Sequence, residues 1–281
     1  MFAVELVLRI TGASYYFLQT HSFSQNRKSR IRILCLGEST TFGWMVRRGV
    51  DYPSQLNKLL ESKYPGRFIV YNRGRPGTTS AKILFSMDRF MEGIKPDIII
   101  LLCGANEYNP RLSVIPLGRL SSFWGNLFIA FSGYLQDLKI YKMSVALIDH
   151  LRYEARWGCA IRPKKGLCPE FDEGMRALLR ERYLENLAAI ADKGRVKGAA
   201  VVYSTYLWPW VNYQDIKDAA QKNGVVLTDQ VEMLKRSGAP ISKVMSEDGF
   251  HPNVLGYEFM AWSLLRTLEE MPAFLRYTQD R

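Results

Sequence analysis

The stretch Ile31-Arg32-Ile33-Leu34-Cys35-Leu36-Gly37-Glu38-Ser39-Thr40-Thr41-Phe42-Gly43 decides how the fold is read. Its first six residues are a short apolar run stopped by Gly37, the pattern of a buried strand. Ser39 therefore stands just past a strand's carboxyl end, with a helix to follow. Working outward, the same pattern predicts strands near 31–36, 67–72, 97–103, 199–204 and 225–228. Helical patterns fall between them, near 52–64, 79–92, 174–193, 212–223 and 254–269. Alternating strands and helices imply a parallel sheet covered on both faces. The expected fold is α/β, a three-layer α/β/α sandwich around a parallel five-stranded sheet. A length of 281 residues with 47% hydrophobic content suits one such domain with an elaboration.

In open α/β sheets the carboxyl edge of the strands is where ligands bind, and the helix after it offers backbone N–H groups to negative charge. A serine there is an exposed nucleophile candidate, although Ser39-Thr40-Thr41 also suits an ordinary strand-to-helix turn. A general base would have to come from three histidines. His21 lies in a polar stretch and His150 ends an apolar helical run. Only His251, in Asp248-Gly249-Phe250-His251-Pro252-Asn253, has a carboxylate in a loop just before it. Asp248 is spaced to fix the tautomer of His251 and to stabilise the imidazolium formed when it takes a serine proton. Pro252 keeps helix from running through His251, and the next helix starts near Val254. The same segment also reads as a surface Asp-Gly turn with a bystander histidine.

Two further strand-end segments can supply donors to the oxygen of a tetrahedral intermediate. Asn72-Arg73-Gly74-Arg75-Pro76-Gly77 follows the strand-like Phe68-Ile69-Val70-Tyr71, and glycine lets the Gly74 N–H approach a substrate closely. Gly104-Ala105-Asn106-Glu107 follows Asp97-Ile98-Ile99-Ile100-Leu101-Leu102-Cys103, and the Asn106 amide is a side-chain donor. Each is compatible with a simple turn. Together the four segments supply, in order, the parts of a serine acyl hydrolase.

In these four segments the sequence resembles the SGNH hydrolases, the GDSL esterases and lipases, from about Arg32 to Leu268 apart from a long insertion. The resemblance implies a flavodoxin-like sandwich. It makes Ser39 the nucleophile, His251 the base and Asp248 its orienting partner. The oxyanion hole would be the Ser39 N–H, the Gly74 N–H and the Asn106 side chain. Glu38 and Glu107 stand where many members carry aspartate and are read as supporting residues outside the proton transfer. No metal or organic cofactor is implied. The expected activity is hydrolysis of carboxylic esters through an acyl-enzyme on Ser39. The alternatives are an O-acyltransferase using the same triad on a sugar or lipid hydroxyl, and a noncatalytic membrane-associated or glycan-binding module.

Residues 1–30 are expected to form an amphipathic or membrane-proximal segment, and residues 31–281 the hydrolase domain with a helical insertion at about 108–172. Glu5 and Arg9 lie one turn apart within the first apolar run, which argues against a spanning helix. Its aromatic end and Arg27-Lys28-Ser29-Arg30 suit a peripheral membrane contact, an accessory helix packed on the domain fits equally, and a third reading is a chain that starts partway through a longer protein. The insertion is rich in large apolar residues, as in Phe123-Trp124-Gly125-Asn126-Leu127-Phe128-Ile129, and is expected to cap the Asn106 edge, the alternative being helices that extend the core on the far side. A net charge of +11 favours anionic surfaces such as phospholipid or acidic glycan. No nucleic-acid signature appears, so the expected partner is a small-molecule, lipid or glycan ester. Cys35 and Cys103 fall in strands as buried thiols, while Cys159 and Cys168 flank a basic loop and lack further zinc ligands. A cytoplasmic or membrane-associated location is expected.

Overall fold

The computed structural model describes residues 30–108, 173–209 and 212–279. The expected N-terminal segment, the insertion cap and the Cys159–Cys168 pair lie outside the described residues. In chain order the elements are β1 (Ile31–Gly37), α1 (Ser39–Phe42), α2 (Tyr52–Lys63), β2 (Phe68–Gly74), α3 (Ser80–Ile94), β3 (Ile98–Leu102), α4 (Glu173–Val196), β4 (Ala200–Ser204), α5 (Tyr213–Lys222), β5 (Val226–Thr228), α6 (Gln230–Ser237), α7 (Val254–Glu269) and α8 (Pro272–Gln279). Every strand expected from the sequence is present, within about two residues at its ends. The short helices α6 and α8 are additions to that reading, too brief for a hydrophobic period to show, while α1 is the helix start expected at Ser39.

The five strands are all parallel in the order β2-β1-β3-β4-β5. Continuous apolar strands bury both faces, and alternate residues divide between two cores. Ile33 and Cys35 of β1 face one cluster with Leu56 and Leu60 of α2, Tyr257, Met260 and Leu264 of α7, and Phe274 of α8. Leu34 and Leu36 face the other, with Ile83 and Met87 of α3, Tyr183 and Leu187 of α4, and Ile216 of α5. The architecture is the three-layer α/β/α sandwich. Both Cys35 and Cys103 are buried free thiols.

Register then places the candidate residues. Gly37 at the end of β1 is level with Gly74 on β2 and Leu102 on β3, so the segments after these strands emerge side by side. β1 lies between β2 and β3, and the chain leaves it first to one side and then to the other. Such a reversal is the point at the carboxyl edge where parallel sheets bind ligands, and here Ser39 follows β1 and Asn106 follows β3.

Candidate active site

The turn after β1 is built around close backbone contacts. A Cβ on Gly37 would lie 2.1 Å from Thr41 Oγ1 and 2.3 Å from the Leu102 carbonyl oxygen, so only glycine lets α1 fold back over the strand end. Gly43 closes the turn in left-handed backbone at φ 92°, and its N–H donates to the Ser39 carbonyl at 3.1 Å. Ser39 thus opens α1, and its own N–H belongs to the first turn, whose donors have no acceptor within the helix.

The His251 loop sits against this turn. His251 Nε2 is 2.8 Å from Ser39 Oγ, and His251 Nδ1 is 2.6 Å from Asp248 Oδ2. The other Asp248 oxygen accepts from the Phe250 and His251 N–H groups, each at 2.9 Å, so one carboxylate both shapes the loop and orients the ring. Gly249 supplies the left-handed residue of the turn at φ 68°. The loop is closed behind the ring by Ser246 N–H donating to the His251 carbonyl at 2.8 Å. It runs directly into α7, where Asn253 caps the first turn by accepting from Gly256 N–H at 3.0 Å. Burial would push the Asp248 carboxyl up, but the hydrogen bonds from His251 and Phe250 outweigh it and hold the group below its ordinary range. Asp248 therefore stays ionised beside the imidazole.

Glu38 and Glu107 brace the third segment. Glu38 is buried; its Oε1 accepts from Gly104 N–H at 3.0 Å and Asn106 N–H at 3.3 Å, and its Oε2 from the Tyr206 hydroxyl at 2.7 Å. Burial pushes its carboxyl up to about 7, against the pull of those hydrogen bonds. Glu107, also buried, accepts from Ser80 N–H at 2.6 Å and Ser80 Oγ at 3.1 Å, fixing the segment to the start of α3. Burial raises its carboxyl as well. Neither carboxylate is hydrogen-bonded to Ser39 or His251.

Two of the groups expected to serve as oxyanion donors are less open than the sequence suggests. The Gly74 N–H donates to Asn72 Oδ1 at 2.8 Å, and the Asn106 amide nitrogen donates to the Thr78 carbonyl at 3.0 Å. One amide hydrogen of Asn106 is left for a ligand, since a primary amide carries two. The glycine at position 74 has a packing reason besides: a Cβ there would lie 2.2 Å from Phe42 N.

Several contributors escape sequence reasoning. The Tyr206 hydroxyl bonds Glu38 and accepts from Ala105 N–H at 3.2 Å, completing a run in which the N–H groups of 104, 105 and 106 all end on Glu38 or Tyr206. Its position two residues past β4, at the same carboxyl edge as Ser39, was the available signal. Asn72 was visible only as a neighbour of Gly74, yet its amide nitrogen also ties Thr41 O at 2.8 Å to Asp51 Oδ1 at 3.0 Å. The Trp44 ring lies with its centroid 6.4 Å from that of His251.

The model of the GDSL-like lipase/acylhydrolase family matches residues 35–259 of the chain. No curated protein matches it in sequence. Among solved structures, LAE5, an alpha/beta hydrolase enzyme from the metagenome of Lake Arreo, is similar at TM-score 0.54 and 15% identity, over 86% of this chain and 96% of that one. Axe2, an acetylxylan esterase from Geobacillus stearothermophilus, is similar at TM-score 0.52 and 15% identity, over 92% of this chain and 100% of that one. The psychrotrophic esterase EstA from Pseudoalteromonas sp. gives TM-score 0.50 and 14% identity, over 85% and 97% of the two chains. At such identities these likenesses speak for the fold.

Proposed function

The chain belongs to the GDSL-like lipase/acylhydrolase family, and from that premise we propose that it hydrolyses carboxylic esters in two steps through an acyl-enzyme on Ser39. The observation that carries this reading is the unbroken hydrogen-bonded chain from Asp248 through His251 to Ser39 Oγ, at 2.6 and 2.8 Å. Ser39 Oγ attacks the ester carbonyl carbon while His251 Nε2 takes its proton. Asp248 holds the ring with Nδ1 protonated, so Nε2 is free to accept, and it stabilises the imidazolium. The carbonyl oxygen becomes an alkoxide facing the Ser39 N–H and the Asn106 amide. The Gly74 N–H joins them once the oxyanion competes with Asn72 Oδ1 for it. His251 returns the proton to the leaving alcohol oxygen as the C–O bond breaks. Water, deprotonated by the same nitrogen, then attacks the acyl carbonyl carbon, and His251 returns that proton to Ser39 Oγ as the Oγ–acyl bond breaks and the acid leaves. Glu38, which fixes the backbone of Asn106, acts in this scheme as a positioning residue. The substrate is an ester of a small molecule, lipid or glycan.

The test is an activated alkyl phosphonate ester, in which a nucleophilic serine attacks phosphorus and displaces the activated leaving group to give a stable covalent adduct. Intact-mass analysis is expected to show one equivalent bound, with the added mass on the peptide holding Ser39. Ser39→Ala should take up none and His251→Ala should label far more slowly. Labelling that persists in Ser39→Ala would reject the assignment.

A further inference from the structure

The loop between α1 and α2, Gly43-Trp44-Met45-Val46-Arg47-Arg48-Gly49-Val50, carries chemistry that ester hydrolysis does not use. Trp44 and Met45 are 47% and 53% exposed, and two more large apolar side chains, Val254 and Leu255, are 48% and 57% exposed at the start of α7. Hydrogen bonds bring the two groups together. The Tyr257 hydroxyl, one turn into α7, donates to the Trp44 carbonyl at 3.0 Å, and Gln55 Nε2 bridges the carbonyls of Val50 and Val254 at 2.7 and 3.4 Å. The Trp44 ring adjoins His251, so this apolar patch forms one rim of the serine–histidine pair. Exposed apolar residues scattered singly are ordinary, whereas four large ones on two hydrogen-bonded segments beside the serine–histidine pair mark a surface that meets something apolar. Met45 is moreover held in left-handed backbone at φ 68°, a conformation bulky residues adopt only under constraint.

The charges on this rim select among apolar partners. Arg47 and Arg48 are exposed on the same loop, and neither guanidinium enters a hydrogen bond or ion pair among the described residues. Lys58, which donates to the Gly49 carbonyl at 2.7 Å, and Lys243 add two exposed cations, against the exposed carboxylates of Glu247 and Glu258. Apolar side chains interleaved with arginine over a few residues match a surface that is hydrocarbon within and anionic at its face.

We propose that this rim docks the protein on an anionic phospholipid surface. Trp44, Met45, Val254 and Leu255 enter the headgroup boundary, while Arg47 and Arg48 lie against the lipid phosphates. Docking so placed would present Ser39 to an ester-bearing lipid, and that last step alone rests on the hydrolase reading.

The experiment is sedimentation of the full chain carrying Ser39→Ala, so that nothing is turned over, with phosphatidylcholine vesicles with and without phosphatidylglycerol. Binding to the anionic vesicles is expected, and much weaker binding to the neutral ones. A Trp44→Ser/Met45→Gly pair keeps left-handed backbone easy at 45 and should lower partitioning about tenfold or more. An Arg47→Glu/Arg48→Glu pair should lower it at least as much, each arginine near an anionic surface being worth about fivefold. Phe85→Ser removes a side chain 90% exposed on α3, in the opposite helical layer, and should change nothing. Urea midpoints establish that each variant is folded. No binding to anionic vesicles, equal binding to both kinds, or loop variants that bind like the parent would each overturn the proposal. In the last case the attachment comes from elsewhere in the chain. Because the readout is binding, it stands or falls separately from phosphonate labelling of Ser39.

Discussion

Asp248 and Glu38 are two carboxyls at one site with opposite electrostatic fates. Asp248 accepts three hydrogen bonds in a partly open loop and stays ionised, whereas Glu38 is buried, and its three donors do not fully offset the loss of water. Replacing Asp248 by asparagine preserves an acceptor for the Phe250 and His251 N–H groups, so the loop should keep its shape. The amide nitrogen would face His251 Nδ1, however, and drive the ring to the tautomer in which Nε2 carries the proton and cannot accept one. Steady-state kinetics on a soluble ester should show kcat lowered by roughly three to four orders of magnitude with little change in melting temperature. For Glu38 the prediction concerns stability. A carboxyl raised from 4.5 to about 7 binds its proton more tightly folded than unfolded, so the native state loses stability as pH rises through that window. Glu38→Gln cannot titrate. Relative to the wild type, it should therefore gain about 3 kcal/mol between pH 4 and pH 8 in urea unfolding. A constant difference across that range would contradict a raised Glu38.

The elements that carry the site depend on close backbone packing more than on propensity. α1 is a single turn lying across the ends of β1 and β2, and a methyl group on Gly74 would meet the backbone of Thr41 and Phe42 at 2.5 and 2.2 Å. These are main-chain atoms, so the turn itself must move. Gly74→Ala should cost about 2 kcal/mol in urea unfolding and reduce kcat at least tenfold, since a small displacement of Ser39 from His251 is heavily penalised. At α7 the Asn253 cap also donates to the carbonyls of Lys243 and Met245 at 2.9 and 3.1 Å, clamping the far side of the His251 loop. Asn253→Ala should lose about 1 to 2 kcal/mol and lower kcat with it, while Asn253→Asp restores the cap but not the two donated bonds. A kcat for Asn253→Asp equal to that of the wild type would show that the clamp is dispensable.

Across the molecule, the C-terminal helix closes one helical layer against β2. Phe274 of α8 stacks on Phe68 of β2 with ring centroids 4.7 Å apart, and Arg67 donates to the Tyr277 carbonyl at 3.3 Å. Phe274→Ala should cost about 3 to 5 kcal/mol, read from urea midpoints, without altering phosphonate labelling of Ser39 while the protein remains folded. This packing was not legible in the sequence, because α8 is too short to display a period and its partner lies more than two hundred residues away. The sandwich itself was legible, since Ile33 to Leu36 and Ile98 to Leu102 are buried on both faces and so are continuously apolar. The candidate serine was legible just past the end of β1, and the candidate aspartate and histidine in the short loop before α7, where local sequence states its own constraint. The involvement of Tyr206, the capture of the Gly74 N–H by Asn72 and the exposed Trp44–Met45 rim were not. They depend on which strand ends lie level and which side chains burial leaves without water. The sequence by itself determined the layers of this protein and the chemistry available at its sheet edge, through periodicity and residue type. Only the tertiary structure decided which donors are already spent, which carboxyl is ionised and which apolar residues face outward, because those depend on contacts between residues distant in the chain.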